Sequence, residues 1–348
     1  MNRIAIIGHF GGDQKFTDGQ TVKTINLYNE LKKATSEDIQ IIDTYYKNKR
    51  PVRLFLKTLK TIISTENIFV LVSGNGMNIF FPLLYVAAKM FNVKVIHDVI
   101  GGRLGEFIDE KPLFKKYLKS FTMNLVETKQ LAEQLVERGI SNVEVIPNFR
   151  DIKIVDVCDK SYRSDIPYRF CTFSRVTKKK GISEAIKAVQ HINQTHEKIV
   201  CSLDIYGPVD LEYKSELESL LRQTPDFIRY MGEVSFSEST EVLQNYYGLL
   251  FPTYWEGEGA AGTIIESFFA GLPVIATDWN CNKESVITGY NGIIYPSQLA
   301  LNLEEGIEWL IQQQDRIIEI RKNCLKSAEY YLPDKHIQRL LNLIEYCD

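Results

Sequence analysis

This chain of 348 residues lacks most of the features that would classify it at once. It has no run of about eighteen apolar residues, so no membrane-crossing helix is expected. Its opening, "MNRIAIIGHFGG", has the pattern of a strand and a glycine loop. It does not have the long apolar segment and small-residue cleavage site of a signal peptide, so the expected location is the cytoplasm. None of the six cysteines (Cys158, Cys171, Cys201, Cys281, Cys324 and Cys347) forms a C-x-x-C pair, and no histidine stands at metal-ligand spacing. Reduced, mostly buried thiols and no metal site are expected. The first glycine loop, "IIGHFGGDQKFTDGQTVKT", fails the G-x-G-x-x-G spacing, and no G-x-x-x-x-G-K-[ST] is present. A dinucleotide fingerprint and a P-loop are thereby excluded. There is no repeat and no low-complexity tract.

What is present suits a globular protein: 45% hydrophobic, 24% charged and 11% aromatic residues, in a length that favours two domains. The net charge of −3 conceals an asymmetry. Residues 1–150 hold 21 Lys+Arg and 15 Asp+Glu, a balance of +6; the rest hold 20 and 29, a balance of −9. A basic first half suits an anionic surface or substrate.

Short apolar strand patterns alternate with longer helical ones. "RIAIIG" leads to "QTVKTINLYNELKKA", "IFVLVSG" to "IFFPLLYVAAKMF", then "VKVIHDV", "MNLVET", "KQLAEQLVERG" and "VEVIPN". The rhythm restarts at "YRFCTFSR", with a boundary near 150–168, and runs through "GISEAIKAVQHINQ", "VCSLDIYG", "FIRYMGE" and "GLLFPT" to "GLPVIATD". Two doubly wound, Rossmann-like α/β domains with parallel sheets follow, their strand ends facing a deep interdomain cleft.

Several strand ends carry chemistry. Gly11 and Gly12 would allow backbone to approach a ligand closely, or simply form a loop. In "VKVIHDVIGG", His97 ends a buried strand, where it can hydrogen-bond an oxygen, help manage a proton, or serve structure alone. In "FSRVTKKKGI", Arg175 and Lys180 can neutralise a diphosphate, although Lys178–Lys180 also suits a solvated turn. The stretch "YWEGEGAAGTIIESFFAGLPVIATD" sets Glu256, Glu258 and Glu266 around bare backbone. "GTIIESFFAG" reads as a helix opened by Gly262 or Thr263 and closed by Gly271 and Pro273. Its free N–H groups form an anion site, and carboxylates beside an anion suit hydroxyls of the same ligand. That chemistry fits a nucleotide sugar; an acidic loop capping the helix is the plainer alternative.

These residues resemble the retaining glycosyltransferases of family 4, the group 1 glycosyltransferases of GT-B fold found in bacterial surface polysaccharide assembly. Glu258 and Glu266 have the gap of that family's E-x7-E motif. "FSRVTKKKGI" is similar to its G-R-x-x-x-x-K-G site, with Ser174 in place of glycine. "VIHD" is similar to its first-domain histidine, and "VEVIPNFRD" to its interdomain V-I-P-N-G-V-D, with Phe149 in place of glycine. The position of the usual aromatic after the first glutamate is Ala260. The resemblance runs from about residue 4 to residue 278.

The resemblance implies an acceptor-binding domain over 1–150, a donor-binding domain over 151–332, and a last helix, about 333–348, crossing back to the first. It implies a hexosyltransferase using a UDP- or GDP-type sugar. Arg175 and Lys180 would hold the diphosphate, Glu266 the ribose and Glu258 the sugar. The backbone of Ala260, Ala261, Gly262, Thr263 and Ile264 would complete the pocket. His97 would lie near the sugar, and Gly11 and Gly12 near the phosphates. No D-x-D occurs, so no metal or other cofactor is expected. Lys47–Lys60 and Lys111–Lys119 interleave cations with Leu and Phe, which suits peripheral contact with an anionic membrane at the inner face of the plasma membrane. A glycan or polyprenyl-diphosphate-linked acceptor fits that location. No nucleic-acid partner is expected. The alternatives are a GT-B glycoside phosphorylase and a non-catalytic sugar-binding protein on the same fold.

Overall fold

The computed structural model describes residues 2–14, 18–156, 166–296 and 301–345. Cys158 and Cys347 lie outside them; Cys171, Cys201, Cys281 and Cys324 are buried free thiols. The chain divides into one unit of residues 1–151 with 332–348 and a second of 152–331.

The first unit runs β1 (Asn2–Gly8), α1 (Gly19–Ala34), β2 (Ile39–Asp43), α2 (Pro51–Ser64), β3 (Thr65–Leu71), α3 (Gly74–Met90), β4 (Lys94–Asp98), α4 (Leu104–Glu110), α5 (Leu113–Ser120), β5 (Met123–Val126), α6 (Lys129–Glu137) and β6 (Val143–Val145). The strands form a parallel sheet in the order β2-β1-β3-β4-β5-β6. Ile4, Ala5, Ile6 and Ile7 are wholly buried, so consecutive side chains enter the cores on both faces, as a parallel sheet between helix layers requires. β2, "IQIID", is a strand the alternation did not bring out. It is short and half-exposed at the sheet edge, and its register on β1 pairs Gly8 with Asp43.

The second unit runs β7 (Tyr168–Phe173), α7 (Ile182–Thr195), β8 (Cys201–Tyr206), α8 (Lys214–Leu221), β9 (Ile228–Gly232), α9 (Ser239–Leu243), β10 (Gly248–Phe251), α10 (Gly262–Phe269), β11 (Val274–Thr277), α11 (Asn282–Ser285), β12 (Gly292–Tyr295), α12 (Leu301–Gln312) and α13 (Ile317–Ala328). Its parallel sheet has the order β12-β11-β10-β7-β8-β9. The chain then returns to the first unit as α14 (Ile337–Glu345). Leu340, Leu341 and Ile344 of α14 join Leu27 and Leu31 of α1 in one core. The core on the opposite face of that sheet is roofed by α2, α3, α5 and α6.

Each strand order reverses direction once, between β1 and β3 in the first sheet and between β7 and β10 in the second. Crevices outside the carboxyl ends of strands open at such points and take ligands. Among the described residues no helix is long and apolar enough to cross a membrane.

Candidate active site

The switch point of the second unit gathers two of the sequence motifs. β7 ends at Phe173, and Ser174–Lys180 follow. β10 ends at Phe251, and Pro252–Gly262 lead into α10. Local packing locks the two segments together. The Thr263 hydroxyl donates to the Phe173 carbonyl, tying the start of α10 to the end of β7. The Tyr254 amide donates to the Lys179 carbonyl at 2.9 Å. Gly181 adopts φ +72°, and a Cβ there would stand 2.2 Å from the Pro252 carbonyl oxygen, so only glycine lets the two loops touch.

Within this frame Arg175 is exposed, with no ion pair to the described residues, and Lys180 is paired with Glu258. Glu258 is 8% exposed and also accepts from the buried Thr253 hydroxyl at 3.0 Å. The three lysines of "KKK" take separate carboxylates. Lys178 faces Glu216 at 3.6 Å, Lys179 holds both oxygens of Glu256 at 2.5 and 2.7 Å, and Lys180 holds Glu258. The plain solvated-turn reading therefore fails for Lys180, and Glu256 has a surface partner. The Glu256–Glu258 loop is clamped from below by Trp279, whose Nε1 donates to the Trp255 carbonyl at 2.7 Å. Asn280 adds its side-chain amide, donating to the Glu258 carbonyl at 3.1 Å.

The N-cap of α10, Ala261, supplies no side-chain acceptor. The Ile264 amide turns back to the Ala261 carbonyl at 3.1 Å, which leaves Gly262 and Thr263 as the open amides of the stretch Ala260–Ile264. The Ile264 side chain is in the core, and Glu266, 9% exposed, sits one turn in. One loop thus carries a guanidinium and an ammonium, and the loop locked to it carries Glu258 and leads into a positive helix end with Glu266 one turn in.

In the first unit, His97 ends β4 and lines a pocket of about 250 Å³ with Val72, Gly74, Met77, Arg103 and Phe107. The Asn124 amide donates to the Leu118 and Asn142 carbonyls, both at 3.1 Å, so its oxygen faces His97 Nδ1 at 3.2 Å. That network assigns the proton to Nδ1 and leaves Nε2 a buried lone pair with no protein donor. Burial, with a smaller effect from the Lys23 charge, pulls the imidazole down to about 3 against the favourable Asn124 bond. At neutral pH it is therefore an uncharged imidazole. The sequence also allowed His97 to manage a proton, and that role loses its basis here.

Beside it lies an ionic cluster that the motifs did not reveal. Lys23 of α1 contacts Asp98 at 2.6 Å and Glu127 at 3.0 Å and donates to the Val99 carbonyl at 2.7 Å. Burial alone would lower the Lys23 pKa, but the two carboxylates outweigh it and hold the ammonium charged. Asp98 is raised, by burial and by the Glu127 charge, because one ammonium serves two acids.

Gly11 and Gly12 lie after β1, both at positive φ. The Gly12 amide donates to Asp43 at 2.8 Å, and Phe10 and Tyr45 amides take the other oxygen of the same carboxylate. A Cβ on Gly12 would meet the Tyr45 ring at 2.5 Å. Glycine here serves a tight loop held by a carboxylate, and that N–H is already used.

Two helix-covered parallel sheets of this kind define the GT-B fold. The solved structure of Anabaena HepE in complex with UDP and glucose superposes with TM-score 0.76 at 12% identity, covering 100% of each chain. Sucrose-phosphate synthase from Thermosynechococcus elongatus does so with TM-score 0.78 at 15% identity, covering 99% of this chain and 98% of that one. Residues 159–329 match the family model described as Glycosyl transferases group 1. An uncharacterized glycosyltransferase of Methanocaldococcus jannaschii is 25% identical over 257 residues, 70% of this chain and 62% of its own length. The N,N'-diacetylbacillosaminyl-diphospho-undecaprenol alpha-1,3-N-acetylgalactosaminyltransferase of Campylobacter jejuni is 25% identical over 118 residues, 34% of this chain and 30% of its own. The matched stretches thus span less than two thirds of these relatives.

Proposed function

We propose that this protein transfers a sugar from a nucleoside-diphosphate sugar to a hydroxyl of a glycan or lipid-linked sugar acceptor, with retention of configuration and without a metal. One observation carries the reading: where the second sheet reverses its strand order, Lys180 of the loop that also carries Arg175 pairs with the buried Glu258 of the loop leading to the open amides of α10. Breaking the bond to the diphosphate builds negative charge on the leaving oxygen. Arg175, Lys180 and the helix end stabilise that charge, the task a divalent cation performs elsewhere. As the diphosphate draws Lys180, the oxygens of Glu258 turn to sugar hydroxyls, and Thr253 keeps the carboxylate aimed. Glu266 binds the ribose. The acceptor attacks on the face of the departing phosphate, which takes its proton. The first unit contributes acceptor binding.

The names of the relatives support these classes. The Campylobacter enzyme is named for a diphospho-undecaprenol-linked sugar, and the HepE structure holds UDP and glucose. The test is a panel of UDP- and GDP-sugars read by released nucleotide, with a polyprenyl-diphosphate sugar present and with and without EDTA. Turnover unchanged by EDTA is expected. Turnover abolished by EDTA, or thermal stabilisation by inorganic phosphate but by no nucleotide, would overturn the reading.

A further inference from the structure

We propose that the Trp255 indole is a stacking platform for the transferred sugar, so that the C–H face of the pyranose ring is read as well as its hydroxyls. This rests on the donor function just proposed and adds a residue which that function does not use.

Of the three tryptophans only Trp255 is exposed, at 42%; Trp279 and Trp309 are half-buried. An exposed indole is either loose surface or a binding group, and its anchoring separates the two. The backbone of Trp255 is held on both sides. Its amide donates to the Thr253 hydroxyl at 3.3 Å. Its carbonyl accepts from Trp279 Nε1 at 2.7 Å and from the Glu258 amide at 3.1 Å. The ring is held as well. A Cβ on Gly257 would stand 2.6 Å from Trp255 Nε1, so the nitrogen edge lies against its own turn in room that glycine leaves. The Lys179 ammonium, fixed by both oxygens of Glu256, stands 5.7 Å from the ring centroid. A side chain held in this way has given up its freedom before a ligand arrives, so stacking on it costs little further entropy.

Position identifies the occupant. The bond from the Glu258 amide to the Trp255 carbonyl closes a four-residue turn, which sets the first and last Cα atoms within about 7 Å of one another. One hydroxyl ties the two residues together: Thr253 accepts from the Trp255 amide and donates to the Glu258 carboxylate at 3.0 Å. Glu258 is the carboxylate that takes the sugar hydroxyls in the donor function. A pyranose has hydroxyls around its rim and C–H bonds across its faces. The rim suits Glu258, and the C–H bonds, with their slight positive charge, suit the negative face of an indole. A nucleobase would also stack on an indole. In a nucleoside-diphosphate sugar, however, the base lies across the diphosphate from the sugar, and hence from Glu258.

The test measures binding of UDP, GDP, UDP-glucose, UDP-N-acetylglucosamine and GDP-mannose to the full chain by calorimetry, for the unaltered protein, Trp255→Leu and Trp255→Phe. Trp255→Leu should weaken the sugar nucleotide that the unaltered chain binds best by about five- to ten-fold, with the affinity for its parent nucleotide and the unfolding temperature unchanged. Trp255→Phe should keep most of the affinity. Equal weakening of nucleotide and sugar nucleotide would overturn the proposal, as would no weakening of either, or a Phe variant as poor as the Leu variant. These outcomes leave the donor function standing. Failure of every nucleotide to bind the unaltered chain would remove that function and the platform together.

Discussion

Lys23 and Lys180 each stand against carboxylates at the carboxyl edge of a parallel sheet, one in each unit. Lys23 has three acceptors for its three N–H bonds: Asp98, Glu127 and the Val99 carbonyl. Lys180 has one carboxylate, Glu258, and the Phe251 ring 5.3 Å away. A saturated ammonium can only hold structure together. An ammonium with bonds to spare can exchange its carboxylate for a phosphate. Similar edges of similar sheets are thus put to different uses, and the count of satisfied donors tells them apart where residue type does not.

Substitutions can break this contrast. Lys23→Met leaves two buried acids without a cation and should cost about 3–5 kcal/mol of unfolding free energy, read by denaturant titration. A cost below about 1 kcal/mol would make Lys23 dispensable to the fold. Lys180→Ala should lower kcat/KM by about 10²–10³ and cost less unfolding free energy than Lys23→Met, since one acid rather than two is left without its cation. His97 sharpens the picture through pH. Its folded pKa of about 3 lies below the ordinary 6.5, so the unfolded chain binds the extra proton. The stability it contributes is complete above 6.5 and is lost as pH falls toward 3, by up to about 1.4 kcal/mol per pH unit. A His97→Gln variant should flatten that acid limb, and an unaltered limb would contradict the burial argument. The smallest effect belongs to Lys33, also on α1, which contacts Glu30 at 2.6 Å and Asp151 at 2.5 Å but is 57% exposed. Lys33→Ala should cost at most about 1 kcal/mol, and less in high salt.

The local patterns carried much of this. Two parallel α/β units, the span of α10 with Gly271 behind it, and the placing of His97 at the end of β4 were all readable from apolar periodicity and glycine punctuation. β2, a half-exposed strand at the sheet edge, was not. Contacts between distant segments were also hidden. Nothing near Thr253 in sequence says that its hydroxyl meets Glu258, or that Asp43 reaches back thirty-one residues to occupy the Gly12 amide. The pairing of Lys179 with Glu256 and of Lys180 with Glu258 depends on Gly181 allowing two loops to touch, which only the fold reveals.

The return of α14 to the first unit has a consequence for biosynthesis. The second unit is one uninterrupted segment and can complete its sheet as soon as it leaves the ribosome. The first unit emerges earlier but cannot close. Leu27, Leu31 and Ile39 wait for Leu340 and Ile344, which are translated after the whole second unit. Until then one side of the older sheet is covered by α1 but not by α14, the kind of state in which nascent chains recruit holdases or stick to one another. The part of the protein made first is the last to finish folding.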